Sequence, residues 1–283
     1  MITKMLLAVP IQYTKRFTAL TPVYIGIKPA FDGEPQTWAD TNDTIWNIDT
    51  DVTLAAKPEL VLLNIKKAIE NTEFYFREPS NPTWATIAEA YAEEEDSWAI
   101  NTAGDDNVFV FGANRTDQIV AFTVAGITNE TNLELYIDST AGPVDLDIYQ
   151  ILIASLFELP PYDERPKRDI KYPDRAYPPR TPAGQYYPNF REAGTLERIE
   201  SMNLSWTELT EAQMTTFLDF IDSFGNSFQP FYIIMVSDTE GSSDVFKSTF
   251  IPAIIKEDTV QIHRGAKQYW NVSLDILVQK QAY

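Results

Sequence analysis

Between Leu209 and Gly225 the chain carries a helix whose start, apolar face and end are all legible, and strand-like alternation flanks it on both sides. Thr210-Glu211-Ala212-Gln213 fits a capping box: the Thr210 hydroxyl accepts from the Gln213 amide, and the Gln213 side chain reaches back to the Thr210 amide. Leu209 before the cap and Met214 four residues after it have the spacing of a hydrophobic staple. Met214, Phe217, Leu218, Ile221 and Phe224 then recur at three- and four-residue intervals, which predicts one apolar stripe. Gly225 stands where a left-handed residue ends many helices. A helix of about four turns with one apolar face has to cover another layer of structure.

The flanks supply that layer. Met202, Leu204 and Trp206 alternate with Asn203, Ser205 and Thr207, the period of a half-buried strand. Phe231 to Val236 is a continuous apolar run suited to a buried strand, with Pro230 placed where its missing donor does least harm. Phe250 to Ile255 and Gln268 to Val278 predict two more strands. In the last, Tyr269, Asn271, Ser273 and Asp275 alternate with Trp270, Val272, Leu274 and Ile276. His263-Arg264-Gly265-Ala266 reads as a turn between them. From Leu196 to Tyr283 the expectation is therefore a small sheet covered by one helix.

The rest of the chain is mainly β. Met1 to Pro10 is expected to be a first strand, since its apolar patch is too short for a signal peptide. Val23 to Ile27 is another strand-like piece. Lys57 to Phe76 is ambiguous: Pro58, Leu60 and Leu63 suit a helix, while Phe74-Tyr75-Phe76 prefers a strand. Trp84 to Ala92 is alanine-rich and predicts a short helix running into the acids Glu93 to Asp96. Val108 to Phe111, Gln118 to Val124, Leu133 to Ile137 and Val144 to Leu156 are β-type runs divided by turn signals about every ten residues. That spacing suggests a β-sandwich or barrel. The expected organisation is a sandwich-like β domain over 1–157, a Pro-rich connector over 158–193 and an α+β assembly domain over 194–283.

The connector has a composition of its own. Eight of the eighteen prolines lie between Pro160 and Arg191, interleaved with Tyr162, Tyr172, Tyr177, Tyr186, Tyr187 and Phe190. Arg165, Lys167, Arg168, Lys171, Arg175, Arg180 and Arg191 make it locally basic against four acids, in a chain whose net charge is −19. Proline removes donors and forbids a helix, so regular structure is not expected here. A flexible linker would be rich in Gly and Ser and poor in Tyr. Tyrosine and arginine are residues that carry contact energy at interfaces. Two readings stand: a loop packed on its own domains, or an arm laid across an acidic neighbour. In the second, Arg165, Arg168, Tyr172, Arg175, Tyr177, Arg180, Tyr186 and Tyr187 are the contact candidates.

Composition narrows the chemistry. Without cysteine there are no disulfides, thiolate metal sites or cysteine nucleophiles. The acidity argues against a nucleic-acid partner, whose phosphates require clustered Lys and Arg. No apolar run reaches the ~20 residues that span a bilayer, so membrane insertion is not expected. The single histidine, His263, lacks a nucleophile motif to serve, and one histidine without cysteine makes zinc improbable. No phosphate-cradling Gly-rich loop occurs. Carboxylates cluster at Asp43, Asp49 and Asp51, at Glu93 to Asp96, at Asp105-Asp106 and at Asp145 with Asp147. None has the pattern of an EF-hand, and such clusters arise by chance in so acidic a chain. The expectation is a non-enzyme without cofactor or metal. Trp38, Trp46, Trp84 and Trp98 stand among Asp, Asn and Thr, either as core filling or as a glycan-binding platform.

Phe190-Arg191, Leu196 to Trp206, Thr210 to Phe224, Phe228-Gln229-Pro230-Phe231 and Tyr269 to Leu274 together resemble the strand–helix–strand core of minor-tail and baseplate proteins of tailed bacteriophages. The β-runs from Val108 to Tyr149 are similar to a sandwich module found upstream of it, so the resemblance covers about 108–283. It implies a virion tail subunit, made in the host cytoplasm, that forms a homo-oligomeric ring around the tail axis. The implied partners are tube, hub and fibre proteins. The alternative is a virion module that binds a host-surface glycan through Trp38, Trp46, Trp84 or Trp98.

Overall fold

The computed structural model describes residues 2–11, 17–19, 39–41, 45–51, 58–68, 72–77, 85–93, 98–101, 108–111, 115–127, 132–139, 146–161, 168–171, 199–224, 230–237, 245–256, 258–265 and 269–279. In chain order the strands are β1 (Ile2–Pro10), β2 (Phe17–Ala19), β3 (Ala39–Thr41), β4 (Ile45–Asp51), β5 (Leu60–Ala68), β6 (Thr72–Arg77), β7 (Ala90–Ala92), β8 (Trp98–Asn101), β9 (Val108–Phe111), β10 (Arg115–Thr123), β11 (Asn132–Ser139), β12 (Leu146–Leu159) and β13 (Arg168–Lys171). There follow β14 (Ile199–Leu209), the helix α1 (Glu211–Asp222), β15 (Phe231–Ser237), β16 (Val245–Ile255), β17 (Gln261–Arg264) and β18 (Trp270–Gln279). The chain forms two compact units, Met1–Glu158 with Ile234–Phe250, and Leu159–Ile233 with Ile251–Tyr283. Strands β15 and β16 contribute residues to each.

In the first unit seven strands close into a barrel in the order β16-β15-β1-β12-β5-β10-β7, with β7 returning to β16. Closure removes the unpaired edges that an open sheet exposes. The closing pair is parallel, Val245↔Ala90, Phe246↔Tyr91 and Lys247↔Ala92. Leu60 to Ile65 on β5 and Met5 to Val9 on β1 are buried at every position, so neither stretch shows alternation. Register shifts between Asp147/Ile148 and Ile148/Gln150 interrupt the β12–β5 ladder. Such bulges give a sheet the bend that a barrel needs. Gly126, after β10, takes φ +90, a conformation that glycine adopts without steric cost. A separate six-stranded sheet has the order β2-β4-β11-β6-β9-β8, each neighbouring pair antiparallel.

The mainly β class expected from the sequence holds. Two local expectations in this unit do not. Lys57 to Phe76 is not helical in its described part: it forms β5 and β6. The ambiguity arose because a strand buried on both faces has no period-2 signal. Residues 85–92 are extended, with a bridge Thr86↔Ala125 and strand β7, where a short helix was expected. Pairing on both sides, to β10 and β16, overrides the helix propensity of alanine. Val23 to Ile27 lies outside the described residues.

The second unit is a one-sided antiparallel sheet under a helix. β14 pairs with β18 so that Met202↔Ile276, Leu204↔Leu274 and Trp206↔Val272 meet across the strands, all six buried. Asn203↔Asp275 and Ser205↔Ser273 occupy the opposite face, and Asn203 Nδ2 donates to Asp275 Oδ1 at 2.7 Å. The ladder shifts between Trp206 and Leu209, where Glu208 takes φ 60 and its amide donates to Asn271 Oδ1. This bulge turns Leu209 inward, just before the helix.

Helix α1 begins as read. The Gln213 amide donates to Thr210 Oγ1 at 3.3 Å, and the Thr210 amide donates to Gln213 Oε1 at 2.9 Å. Leu209 and Met214 are both buried. Its apolar face is displaced from the expected stripe, however. Met214, Phe217, Phe220 and Phe224 are buried, Ile221 is half-buried, and Leu218 is 42% exposed. Rings decide this: Phe217 meets Trp206 at 5.9 Å, while Phe220 and Phe224 meet Phe231 edge-on at 5.4 and 5.6 Å. Burying a Phe fully contributes about 1.5–3 kcal/mol, more than a half-buried Leu returns, so the helix turns its phenylalanines to the sheet. Ser223 caps the helix C-terminally; Gly225 lies outside the described residues.

Candidate assembly surface

Among the described residues the connector is tied to the second unit at two points. Trp206, fully buried, donates its indole N–H to the Pro160 carbonyl at 2.9 Å, so the root of the connector is fixed by a core residue. Arg168 to Lys171 then form β13, antiparallel to β14, with Lys171 opposite Ile199. This corrects the expectation that the connector holds no regular structure. The four residues fall between Pro166 and Pro173, so every donor needed for a ladder is present. Of the contact candidates, Arg168 lies on β13; Arg165, Tyr172, Arg175, Tyr177, Arg180, Tyr186 and Tyr187 lie outside the described residues.

The β13–β14 register has a topological consequence. Residues 172–198 leave the sheet at Lys171 and must return to it at Ile199, directly opposite. Connections this long within compact domains are uncommon and are most often functional or linking segments.

At the other side of β18, β17 makes a hairpin with it, Gln261↔Ser273 to Arg264↔Trp270. All four β17 residues are exposed. His263 therefore sits on a strand opposite Asn271, not in a turn; the connection begins at Gly265, whose amide donates to the Tyr269 carbonyl. The Arg264 guanidinium lies 5.5 Å above the Trp270 ring, and Trp270 Nε1 donates to Glu211 Oε2 at 2.9 Å. Two charged groups thus flank one indole, fixing the helix start against β18. The exposed large apolar side chains among the described residues are Leu218, Ile262 (38%) and Tyr269 (39%), all in this unit. Sequence reading did not find the Glu211–Trp270–Arg264 set. Its members are far apart in the chain and share no motif.

In the first unit, Lys4 on β1 and Glu89 and Tyr91 beside or on β7 form a linked polar group. Lys4 Nζ lies 2.8 Å from Glu89 Oε2, and the Tyr91 hydroxyl donates to the same oxygen. Lys4 Nζ also lies 5.5 Å from the Tyr91 and Phe246 ring centres, and those two rings stack. Burial alone would raise the Glu89 carboxyl, but hydrogen bonds from Lys4 and Tyr91 and the Lys4 charge hold it below its ordinary value. Burial, then the Glu89 hydrogen bond and the charges of Glu89 and Glu158, push the Tyr91 phenol far up, so it remains a donor. This group joins β1, β7 and β16 where the barrel closes.

Trp46 lies on β4 and Trp98 on β8, in the same six-stranded sheet; Trp38 and Trp84 lie outside the described residues. Four strand spacings separate β4 from β8, about 19 Å along the sheet, too far for one sugar ring to touch both. Among the described residues no three His, Asp or Glu are grouped to hold a metal ion, and no helix is long and apolar enough to cross a membrane. No family model matches the chain, and no match was found among curated proteins or solved structures.

Proposed function

We propose that the chain is a structural subunit of a bacteriophage tail tip or baseplate that forms a ring around the tail axis and links the tube to hub or fibre proteins. One observation carries this reading. The residues that resemble tail-tip proteins, Leu204, Trp206, Thr210 to Phe224 and Pro230-Phe231, fall in a strand, a capped helix and a strand that share one aromatic core. The tied connector supports it, since 172–198 leaves and rejoins the sheet at the paired positions Lys171 and Ile199. On this reading the protein is made in the host cytoplasm, acts in the virion tail, and uses neither enzyme chemistry nor a cofactor. Mass spectrometry and labelled-antibody microscopy of purified particles test it. The chain is expected in particles, at the tail end; a chain missing from them, or decorating another part, contradicts the assignment.

The second reading is a sandwich-like first domain that binds a host-surface glycan. Trp46 and Trp98 share one sheet, but the register sets both on the face of the buried Phe74 and Phe76, which favours core filling over this reading. Given their separation, each would serve a different sugar of an extended chain. Glycan-array binding by the full chain, lost in Trp46→Ala or Trp98→Ala, is the expected result; no binding, or binding that both changes leave intact, rejects it.

A further inference from the structure

We propose that the open edge of β17 pairs, antiparallel, with β17 of a second copy of this chain, Ile262 standing opposite Ile262 on the two-fold axis. The inference rests on strand geometry in the second unit and not on the tail reading. A ring repeats one head-to-tail contact, whereas here the same patch serves on both copies.

Hydrogen bonds along β18 fix which way β17 points its backbone. The Gly265 amide donates to the Tyr269 carbonyl, the Lys256 amide to the Asp275 carbonyl, and the Asp275 amide to Thr259 Oγ1. The odd-numbered residues of β18 therefore turn their N–H and C=O groups toward β17. Bonded and non-bonded pairs alternate in an antiparallel ladder, so Gln261↔Ser273 and His263↔Asn271 are the bonded pairs of the hairpin. Ile262 and Arg264 then direct their own N–H and C=O groups away from β18. Among the described residues no strand pairs with β17 on that side, and all four of its residues are exposed. An edge with outward donors and acceptors is a template for another strand. Ile262 also continues an apolar row, since it pairs with Val272, which pairs with the buried Trp206. With Ile262 the row ends in solvent.

Charge selects a second copy and its register. From Gln261 to Ser273 the hairpin holds Arg264 and Lys267 and no acid, so two chains of net charge −19 meet there without opposing carboxylates. Two two-fold registers satisfy the outward groups and keep three of the four β17 residues in the ladder. Centred on Ile262, the pairing sets His263 opposite Gln261 and Arg264 opposite Val260 of the second copy. The two Arg264 positions then stand about 14 Å apart, at ~3.4 Å per residue and ~4.8 Å between strands. Centred on His263, the two histidines face each other and the arginine positions close to about 8 Å. Salt screens exposed charges beyond about 8 Å, so only the first register takes the arginines clear of each other. Like charges set opposite across strands are destabilising, which counts again against facing histidines. Ile262 against Ile262 also carries the apolar row across the axis.

The chain has no cysteine, so single cysteines in the full chain report the register. Facing residues of a bonded antiparallel pair have Cα atoms about 5.5 Å apart, within disulfide reach. In this register the two His263 positions lie about 8 Å apart, beyond that reach. Under mild oxidation Ile262→Cys is expected to give a covalent dimer, and His263→Cys and the helix control Leu218→Cys to give none. Sedimentation then reads the equilibrium. Ile262→Pro removes one outward donor and no bond to β18, so the dimer should be lost with Tm unchanged. Ile262→Lys sets two like charges face to face and should weaken association about tenfold or more. Its side chain replaces one that is exposed, so it carries the same test if the proline variant fails to fold. Three results each overturn the proposal: cross-linking through His263→Cys and not Ile262→Cys, dimers that both the proline and lysine changes leave intact, or a wild-type chain monomeric at every concentration tested. None of them bears on whether the chain occurs at the tail end of particles, which the particle measurements decide.

Discussion

The two units bury their apolar surface by opposite routes. In the second, β14, α1 and the start of β15 are consecutive, and one cluster of Trp206, Phe217, Phe220, Phe224 and Phe231 unites them. In the first, the barrel is completed only when Ala90–Ala92 meets Val245–Lys247, about 155 positions later. Neighbouring pieces announce their packing through periodicity and caps. Distant pieces do so only through a pairing that no local pattern encodes, and such contacts also carry the larger loop-closure cost during folding. The comparison predicts a local unit sensitive to its rings and cap, and a barrel sensitive at its seam.

The largest effect is expected from Phe220→Ala. It empties the centre of the ring cluster and should cost about 3–5 kcal/mol in denaturant unfolding. A loss below about 1 kcal/mol would mean that the helix is not held by this core. Thr210→Ala comes next, about 1 kcal/mol, since it removes one half of a capping box whose two hydrogen bonds are both present. Tyr91→Phe at the seam should cost about 0.5–1.5 kcal/mol, the worth of a hydrogen bond whose acceptor, Glu89, keeps Lys4. If it matched Phe220→Ala instead, the seam and not the ring cluster would dominate stability.

A pH series sharpens the seam's part. The Glu89 carboxyl is held below its unfolded value, so its contribution is present above that value and is lost as pH falls through the folded one. The Tm difference between wild type and Glu89→Gln should be constant near neutrality and shrink below about pH 4. A difference that persists unchanged into acid would show that the carboxylate charge is not what the seam uses. The smallest effect is Leu218→Ala, within about 0.5 kcal/mol, because this side chain lies outside the packed face.

What the sequence disclosed follows the same division. Alternation from Met202 to Trp206 and the Thr210–Gln213 box survive into the structure residue by residue, because one-sided burial leaves a period and a cap leaves a motif. The helix stripe was legible only in part: Phe220 and Leu218 both fit a helical interval, and only the position of Phe231 decides between them. Leu60 to Ile65 carried no period because both faces are covered, and Ala90 and Ala92 read as helix because their two strand partners lie far away in the chain. In the connector, the prolines obscured four residues free to pair. Of the candidate contact residues, Arg168 lies on a strand and the other seven lie outside the described residues; the Glu211–Trp270–Arg264 set had no sequence signal at all.

The central proposal is that this chain is a ring-forming subunit of a phage tail tip. A cryo-EM map of the particle tests it most directly. The proposed tail-tip role predicts a ring of copies of this chain at the tail end. A map without this chain at the tail end, or with it elsewhere on the particle, would contradict it.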